Sequence, residues 1–224
     1  MSSNKQARRI LITAGPAVAE IDRVRKITNH STGSLGTDLT RFTVNEGHEV
    51  TLLRSDYCTA PEPELSHQQI PFSTGSDLLD KLQQLSDSNT FDAIWHAAAV
   101  NDYTVDRICD ADGNNIDSRS KLPSRSGNIT LHLKPFIKII GELKSLFPNS
   151  YVVGWKYETE GKMEDVISKA LQQLTDNKNH ACVANGPAFG DGFGVCLSEE
   201  SIIPAADPTE LAMVLLGLLE TRTA

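Results

Sequence analysis

Arg9-Ile10-Leu11-Ile12-Thr13-Ala14, running into Gly15-Pro16, decides the fold. A short run that is apolar without clear alternation and is closed by a glycine–proline turn reads as a buried strand of a parallel sheet. Outward from it, residues 33–46 place Leu35, Leu39 and Phe42 at i, i+4 and i+7, a helical stripe that Gly47 ends. Residues 49–53 read as a second strand and 77–85 as a second helix with Leu78, Leu82 and Leu85 on one face. Residues 91–100, almost wholly apolar, read as a third strand. This β-α-β-α-β opening implies an α/β, Rossmann-like fold: a three-layer parallel sheet with helices on both faces.

The rest of the chain continues the rhythm, with one interruption. Strands are expected at 129–133, 151–155 and 181–184, and helices at 137–147 and 162–174. A C-terminal hairpin is expected from 193–197 and 201–204 around Glu199-Glu200, and 208–220 is a closing helix. Residues 101–128 are polar and poor in apolar anchors. A structureless loop of that length is uncommon in a compact domain and marks function or a partner. Residues 1–224 are therefore read as a single domain carrying an extended arm within 101–133.

Composition narrows the function classes. The chain has 224 residues and a formal net charge of −8, which argues against a general nucleic-acid surface. The start is polar, and no apolar run approaches a membrane span, so a cytoplasmic protein without membrane contact is expected. The four cysteines form no C-x-x-C, and no Cys/His spacing suggests zinc. Cys182 and Cys196 lie in apolar runs and are expected to be buried thiols, and His96 is expected to be a core histidine.

In an open parallel sheet, ligands bind beyond the carboxyl ends of the strands. The residues there are Ala14-Gly15-Pro16, Ala97-Ala98-Ala99, Trp155-Lys156 and Asn185-Gly186, mostly small ones that let a ligand approach the backbone. Ser31, Thr32, Gly33 and Gly36 lead into a helix N-terminus whose free N–H groups suit a phosphate, although Ser and Thr serve equally as caps. Neither G-x-x-x-x-G-K-[ST] nor G-x-G-x-x-G follows the first strand. Arg25, Lys121, Lys134, Lys138 and Lys156 are the cations that ligand-facing segments offer to a polyphosphate. There is no G-x-S-x-G elbow and no paired histidines on a helix, so a protein nucleophile is not expected.

Taken in order, these residues resemble a known family. Leu11-Ile12-Thr13-Ala14-Gly15-Pro16 with Ile21-Asp22-x-Val24-Arg25-x-Ile27-x-Asn29-x-Ser31-x-Gly33-x-x-Gly36 resembles the opening of phosphopantothenate–cysteine ligases. Ala97-Ala98-Ala99-Val100-x-Asp102-Tyr103, Lys121-Leu122 with Ile129-Thr130-Leu131, Trp155-Lys156-Tyr157-Glu158-Thr159 and Val183-Ala184-Asn185 resemble its later motifs. The resemblance implies that the carboxylate of 4′-phosphopantothenate attacks a nucleoside triphosphate, with magnesium on the phosphates, and that the acyl-nucleotidylate is taken by the amine of L-cysteine. It also implies roles. Asn29 and Arg25 would hold the acyl intermediate, and Lys121 would close over the triphosphate. Gly15, Pro16, Ser31, Thr32, Gly33, Gly36, Ala98, Ala99, Asp102, Lys134, Trp155 and Lys156 would surround the nucleotide. Asn29, Ala99 and Asn185 would contact substrate. No metal ligands are assigned. The family is dimeric through the arm, so a homodimer is expected, in the form of a stand-alone ligase.

Four positions depart from the bacterial pattern: Asn101 stands for Ala, Gly186 for Asp, and Gln173 and Asn177 for two lysines of the later helix. Lys156-x-Glu158-Thr159 is closer to the eukaryotic, ATP-using form, so the nucleotide reading leans to ATP with CTP left open. Two other readings stand beside the ligase. One is a diverged nucleotide-binding homologue without activity. The other is an NAD(P)-dependent oxidoreductase, against which the missing glycine fingerprint and Tyr-x-x-x-Lys pair speak.

Overall fold

The computed structural model describes residues 6–63, 67–117, 121–122 and 127–221. The first half contains β1 (Arg9–Ala14), β2 (Val18–Glu20), β3 (Lys26–Thr28), α1 (Ser34–Asn45), β4 (Glu49–Ser55), β5 (Gln68–Phe72), α2 (Gly75–Ser88) and β6 (Ala93–His96). The second half contains β7 (Tyr103–Cys109), β8 (Asn115–Ile116), β9 (Thr130–Pro135), α3 (Ile139–Leu146) and β10 (Tyr151–Tyr157). It closes with α4 (Met163–Asn177), β11 (Ala181–Asn185), β12 (Phe193–Ser198), β13 (Ser201–Ala205) and α5 (Pro208–Glu220).

The central sheet has eight strands in the order β5-β4-β1-β6-β10-β11-β12-β13. The run from β5 to β11 is parallel, and the hairpin β12–β13 adds two antiparallel strands at one edge. The expected α/β architecture and C-terminal hairpin are thus present. Side chains alternate across β1: Ile10, Ile12 and Ala14 face a core shared with Leu39 of α1 and Leu211, Leu215 and Leu219 of α5. Leu11 faces the opposite core, with Leu78 and Leu82 of α2 and Leu143 of α3. Further along that layer, α4 lays Val166 and Ala170 over Cys182 and Cys196, which are buried free thiols. Both faces of the sheet are therefore dry, which is why β1 reads as an uninterrupted apolar run.

Two expectations are corrected. The third strand, expected over 91–100, is only Ala93–His96 long, because the chain leaves the sheet at Ala97 to bond across the end of β1. The stretch 101–128 was expected to be structureless. Instead β7 and β8, with β9, form a three-stranded antiparallel sheet. A register shift between Val105 and Arg107 breaks the alternation that would have revealed β7. Residues 118–120 and 123–126 of the expected arm lie outside the described residues. Two short elements, the hairpin β2–β3 and the edge strand β5, were not foreseen. β5 holds Pro71, which only an edge or irregular strand tolerates, and its Gln68-Gln69 start hides the pattern. Among the described residues no helix is long and apolar enough to cross a membrane.

Gly36 shows how closely α1 lies on β1. A Cβ on this residue would come within 2.5 Å of the Ala14 Cβ and 3.2 Å of the Ala14 Cα. Neither atom belongs to a flexible side chain, so the helix itself would have to move. Gly36→Val is expected to lower stability by about 1–3 kcal/mol through overpacking, more than any gain from replacing a helical glycine. Chemical denaturation of the two proteins checks this.

Candidate active site

The order of strands reverses between β1 and β6, and the chain's two exits from these strands meet there. The Ala99 N–H donates to the Gly15 carbonyl at 3.0 Å, and the Ala99 carbonyl accepts from the Ala17 N–H at 2.9 Å. The same carbonyl accepts from Asn29 Nδ2 at 3.0 Å. Gly15, Pro16, Asn29, Ala98 and Ala99 are thereby brought to one place. Beneath them the Ala98 N–H donates to Thr13 Oγ1 at 3.1 Å, and Thr13 Oγ1 lies 2.9 Å from His96 Nδ1.

The long loop from Gly15 to Gly36 is built around Cys58. A side chain on Gly15 would meet its Sγ at 2.1 Å, and one on Gly33 would meet it at 2.4 Å. Thr32 is held from the same side, its carbonyl accepting from the N–H groups of Thr59 and Ala60. Burial pushes the Cys58 thiol above its usual pKa, with Asp56 and Glu62 adding to the effect and Arg54 opposing it. Ser31 and Thr32 do not cap α1. Its N-cap is Gly33, which makes no side-chain hydrogen bond, although the Ser34 N–H at the start of the helix donates to Thr32 Oγ1 at 3.3 Å.

Arg25 and Asn29 flank β3. Asp22, buried at 6% exposure, holds the turn before it. Its Oδ1 accepts from the N–H groups of Val24 and Arg25, both at 2.8 Å, and its Oδ2 from Arg25 Nη1 at 3.0 Å. The Leu122 N–H also donates to Asp22 Oδ2 at 3.0 Å, which brings Lys121 next to this hairpin. That amide first, with those of Val24 and Arg25 and the guanidinium, holds the Asp22 carboxyl below the usual carboxylate range in spite of its burial.

The other side of the site is the end of β10 and β11. Trp155 and Asn185 lie on the α1 side, and their buried Nε1 and Oδ1 atoms have no hydrogen-bond partner among the described residues. An orphaned donor and an orphaned acceptor at neighbouring strand ends need a ligand or water to satisfy them. Lys156 Nζ lies 3.1 Å from Glu158 Oε1, and Lys169 Nζ 2.6 Å from Glu158 Oε2. Lys169 and then Lys156 hold the Glu158 carboxyl below its usual range. Lys134 and Asp102 belong to the arm: Lys134 pairs with Asp106 at 3.3 Å, and the Asp102 carbonyl accepts from the Phe136 N–H. Among the described residues no hydrogen bond ties either side chain to the strand ends. The sequence shows Thr13 and Asp22 only as members of a motif and gives neither them nor Cys58 a role. Only Asp22 leaves a recognisable sign, an Asp two and three residues ahead of the N–H groups it accepts.

A family model described as the DNA/pantothenate metabolism flavoprotein C-terminal domain matches residues 5–212. The chain belongs to this family. It is similar to the coenzyme A biosynthesis bifunctional protein CoaBC of Thermococcus kodakarensis, at 32% identity over 186 residues, covering 83% of this chain and 43% of that protein. The Bacillus subtilis protein of the same description is 30% identical over 194 residues, covering 86% and 44%. The chain spans less than half the length of these curated relatives. Among solved structures, a DNA/pantothenate metabolism flavoprotein from Streptococcus pneumoniae aligns with a TM-score of 0.83 and 26% identity, covering 96% of this chain and 100% of that one.

The four departures from the bacterial members of the family have structural settings. Asn101 Nδ2 donates to the carbonyls of Ala17 and Ile27, at 3.3 and 3.4 Å, tying the β2–β3 hairpin to the crossover segment. Gly186 adopts a φ of 107°, and a Cβ there would lie 2.5 Å from the Glu158 carbonyl oxygen, so an Asp requires a different turn. Gln173 packs against Gly154 in the middle of β10, and Asn177 against Gly141 of α3. Both are in the α4 packing layer, on the sheet face opposite Trp155 and Asn185.

His96 is 7% exposed, and burial lowers its pKa from 6.5 to about 4. A histidine with a depressed folded-state pKa contributes its full stability above the unfolded pKa and loses it as pH falls. The loss is expected to run from pH 6.5 down to about 4 and to total about 3 kcal/mol. His96→Asn should flatten that part of the stability curve, measured by urea unfolding at stepped pH.

Proposed function

We propose that the chain is a phosphopantothenate–cysteine ligase of coenzyme A synthesis, and that its site lies at the crossover of β1 and β6. The observation that carries the reading is the anchoring of Asn29 on the Ala99 carbonyl at the crossover, with Arg25 and the root of Lys121 held to each other at the other end of β3. Further support comes from the names of the relatives. A solved structure with the same fold, at a TM-score of 0.75, is described as a complex of Cab2 with phosphopantothenate-cysteine, although at 15% identity it speaks only for the fold.

In the first step a carboxylate oxygen of 4′-phosphopantothenate bonds to the α-phosphorus of the triphosphate, and pyrophosphate leaves with the electrons of the broken P–O bond. In the second the cysteine amine bonds to the acyl carbon, the acyl–phosphate C–O bond breaks, and a nucleoside monophosphate leaves while the nitrogen gives up a proton. Neither step needs a protein nucleophile. Both need anions held at fixed angles and charge neutralised as it develops. The N–H groups at the start of α1 suit the phosphates. Lys121 and Lys156 supply positive charge, Arg25 and Asn29 hold the acyl group, and Trp155 and Asn185 turn their free polar atoms to the ligand. Among the described residues no cluster of three or more metal-binding side chains occurs. Magnesium is accordingly assigned to the nucleotide's own phosphates, with which it enters as part of the substrate.

The reading includes a cytoplasmic homodimer. Val24, Tyr103, Leu133 and Ile137 are 62%, 55%, 47% and 44% exposed around the hairpin and arm, an apolar grouping that a second copy would cover. ATP is the nucleotide assigned, from the Lys156-x-Glu158-Thr159 form.

Incubation with phosphopantothenate, cysteine, magnesium and either ATP or CTP tests the proposal. Pyrophosphate release that requires both acid and nucleotide is expected, faster with ATP. No release with either nucleotide would sink the ligase reading. Asn29→Ala and Lys121→Gln should each cut turnover by about 100-fold, by loss of positioning and of charge stabilisation respectively.

A further inference from the structure

We propose that Asp22 is a positioning residue that fixes the main-chain root of Lys121 and the Arg25 guanidinium in one rigid unit. The kinetic half of this proposal rests on the ligase reading; the structural half does not.

Asp22 and Leu122 are 100 residues apart in sequence and meet with their polar groups fully used. The Leu122 N–H belongs to the peptide link between Lys121 and Leu122, and it donates to Asp22 Oδ2. The Leu122 carbonyl accepts from Arg25 Nη2 at 3.4 Å. Arg25 Nη1 returns to Asp22 Oδ2 at 3.0 Å. Leu122 is therefore gripped at both its N–H and its C=O, and its side chain is buried at 2% exposure. Lys121, one residue before, is exposed. A buried carboxylate whose acceptor sites are filled by two chain segments and a guanidinium is costly to disturb. It sets where the lysine side chain begins and which way the arginine points, without itself facing the crossover.

Asp22→Asn separates this role from a purely local one. The remaining Oδ1 still accepts from the Val24 and Arg25 amides, so the hairpin turn survives. The other position becomes an NH2 group facing the Leu122 N–H and Arg25 Nη1, donor against donor. The turn is kept and the grip on Leu122 is lost.

The test combines hydrogen exchange on the full chain with steady-state kinetics. In Asp22→Asn, exchange of the Leu122 amide should rise at least tenfold while the amides of β1 keep their protection. Turnover should fall at least tenfold with KM for cysteine unchanged, since the loss is of geometry rather than of cysteine binding. Leu122→Pro removes the same N–H from the other side. The double variant should lose less than the sum of the two single losses, because the Asp22–Leu122 contact is common to both. Unchanged exchange at Leu122 in Asp22→Asn overturns the proposal, as do fully additive losses in the double variant. If Asp22→Asn loses protection in β1, Leu122→Pro decides: wild-type turnover overturns the proposal and a tenfold loss supports it. A wild-type protein without turnover overturns the ligase reading instead, and the exchange comparison alone then decides whether Asp22 roots Lys121.

Discussion

The backbone of one residue, Ala99, holds the two halves of the site together. Its N–H and C=O reach Gly15, Ala17 and the side chain of Asn29, so the exits of β1 and β6 cannot separate without breaking three hydrogen bonds at once. Each alone is worth about 1 kcal/mol net, but a buried group left unpaired costs more than a made bond returns, and the set acts together. The small residues around it follow from this. Ala97, Ala98 and Ala99 leave the backbone accessible to its neighbours, and the side chain at 36 is absent because α1 must lie against Ala14 for its N-terminus to reach the crossover.

How much of this was legible beforehand varies with the kind of force involved. The layers of the fold were legible because burial leaves a mark in the order of residues: β1 is apolar throughout, and α2 repeats leucine at helical spacing. The place of the site was legible because parallel sheets bind at strand ends. β5 and β7 were not, since one is an edge strand starting Gln-Gln and the other loses its alternation at a register shift. Contacts between distant segments were illegible in principle. Nothing near Asp22 announces Leu122, and nothing near Cys58 announces the glycines it fits between. Gln173 and Asn177 show the converse: the sequence marks them only as departures from a bacterial pattern, and the structure adds that they pack against glycines on β10 and α3.

The electrostatics of the site are local and run against the charge of the chain. A net charge of −8 would repel a triphosphate. Most carboxylates near the site are spoken for: Asp22 by three amides and a guanidinium, and Glu158 by two lysines. The Glu158 pairing also means that Lys156 is not a free cation. A phosphate approaching it competes with a carboxylate already in place, which favours ligands of high charge over singly charged ones.

The fit of Cys58 under Gly15 and Gly33 has an electrical meaning as well as a steric one. A group of that size carrying a negative charge would oppose any anion resting on the loop above. Burial disfavours the thiolate, and the Sγ lies 3.6 Å from the Ala14 carbonyl, to which only the protonated form can donate. The floor of the loop is therefore a neutral, polarisable sulfur, and the positive ends of the α1 N–H groups above it act on a bound phosphate without a counter-charge from below.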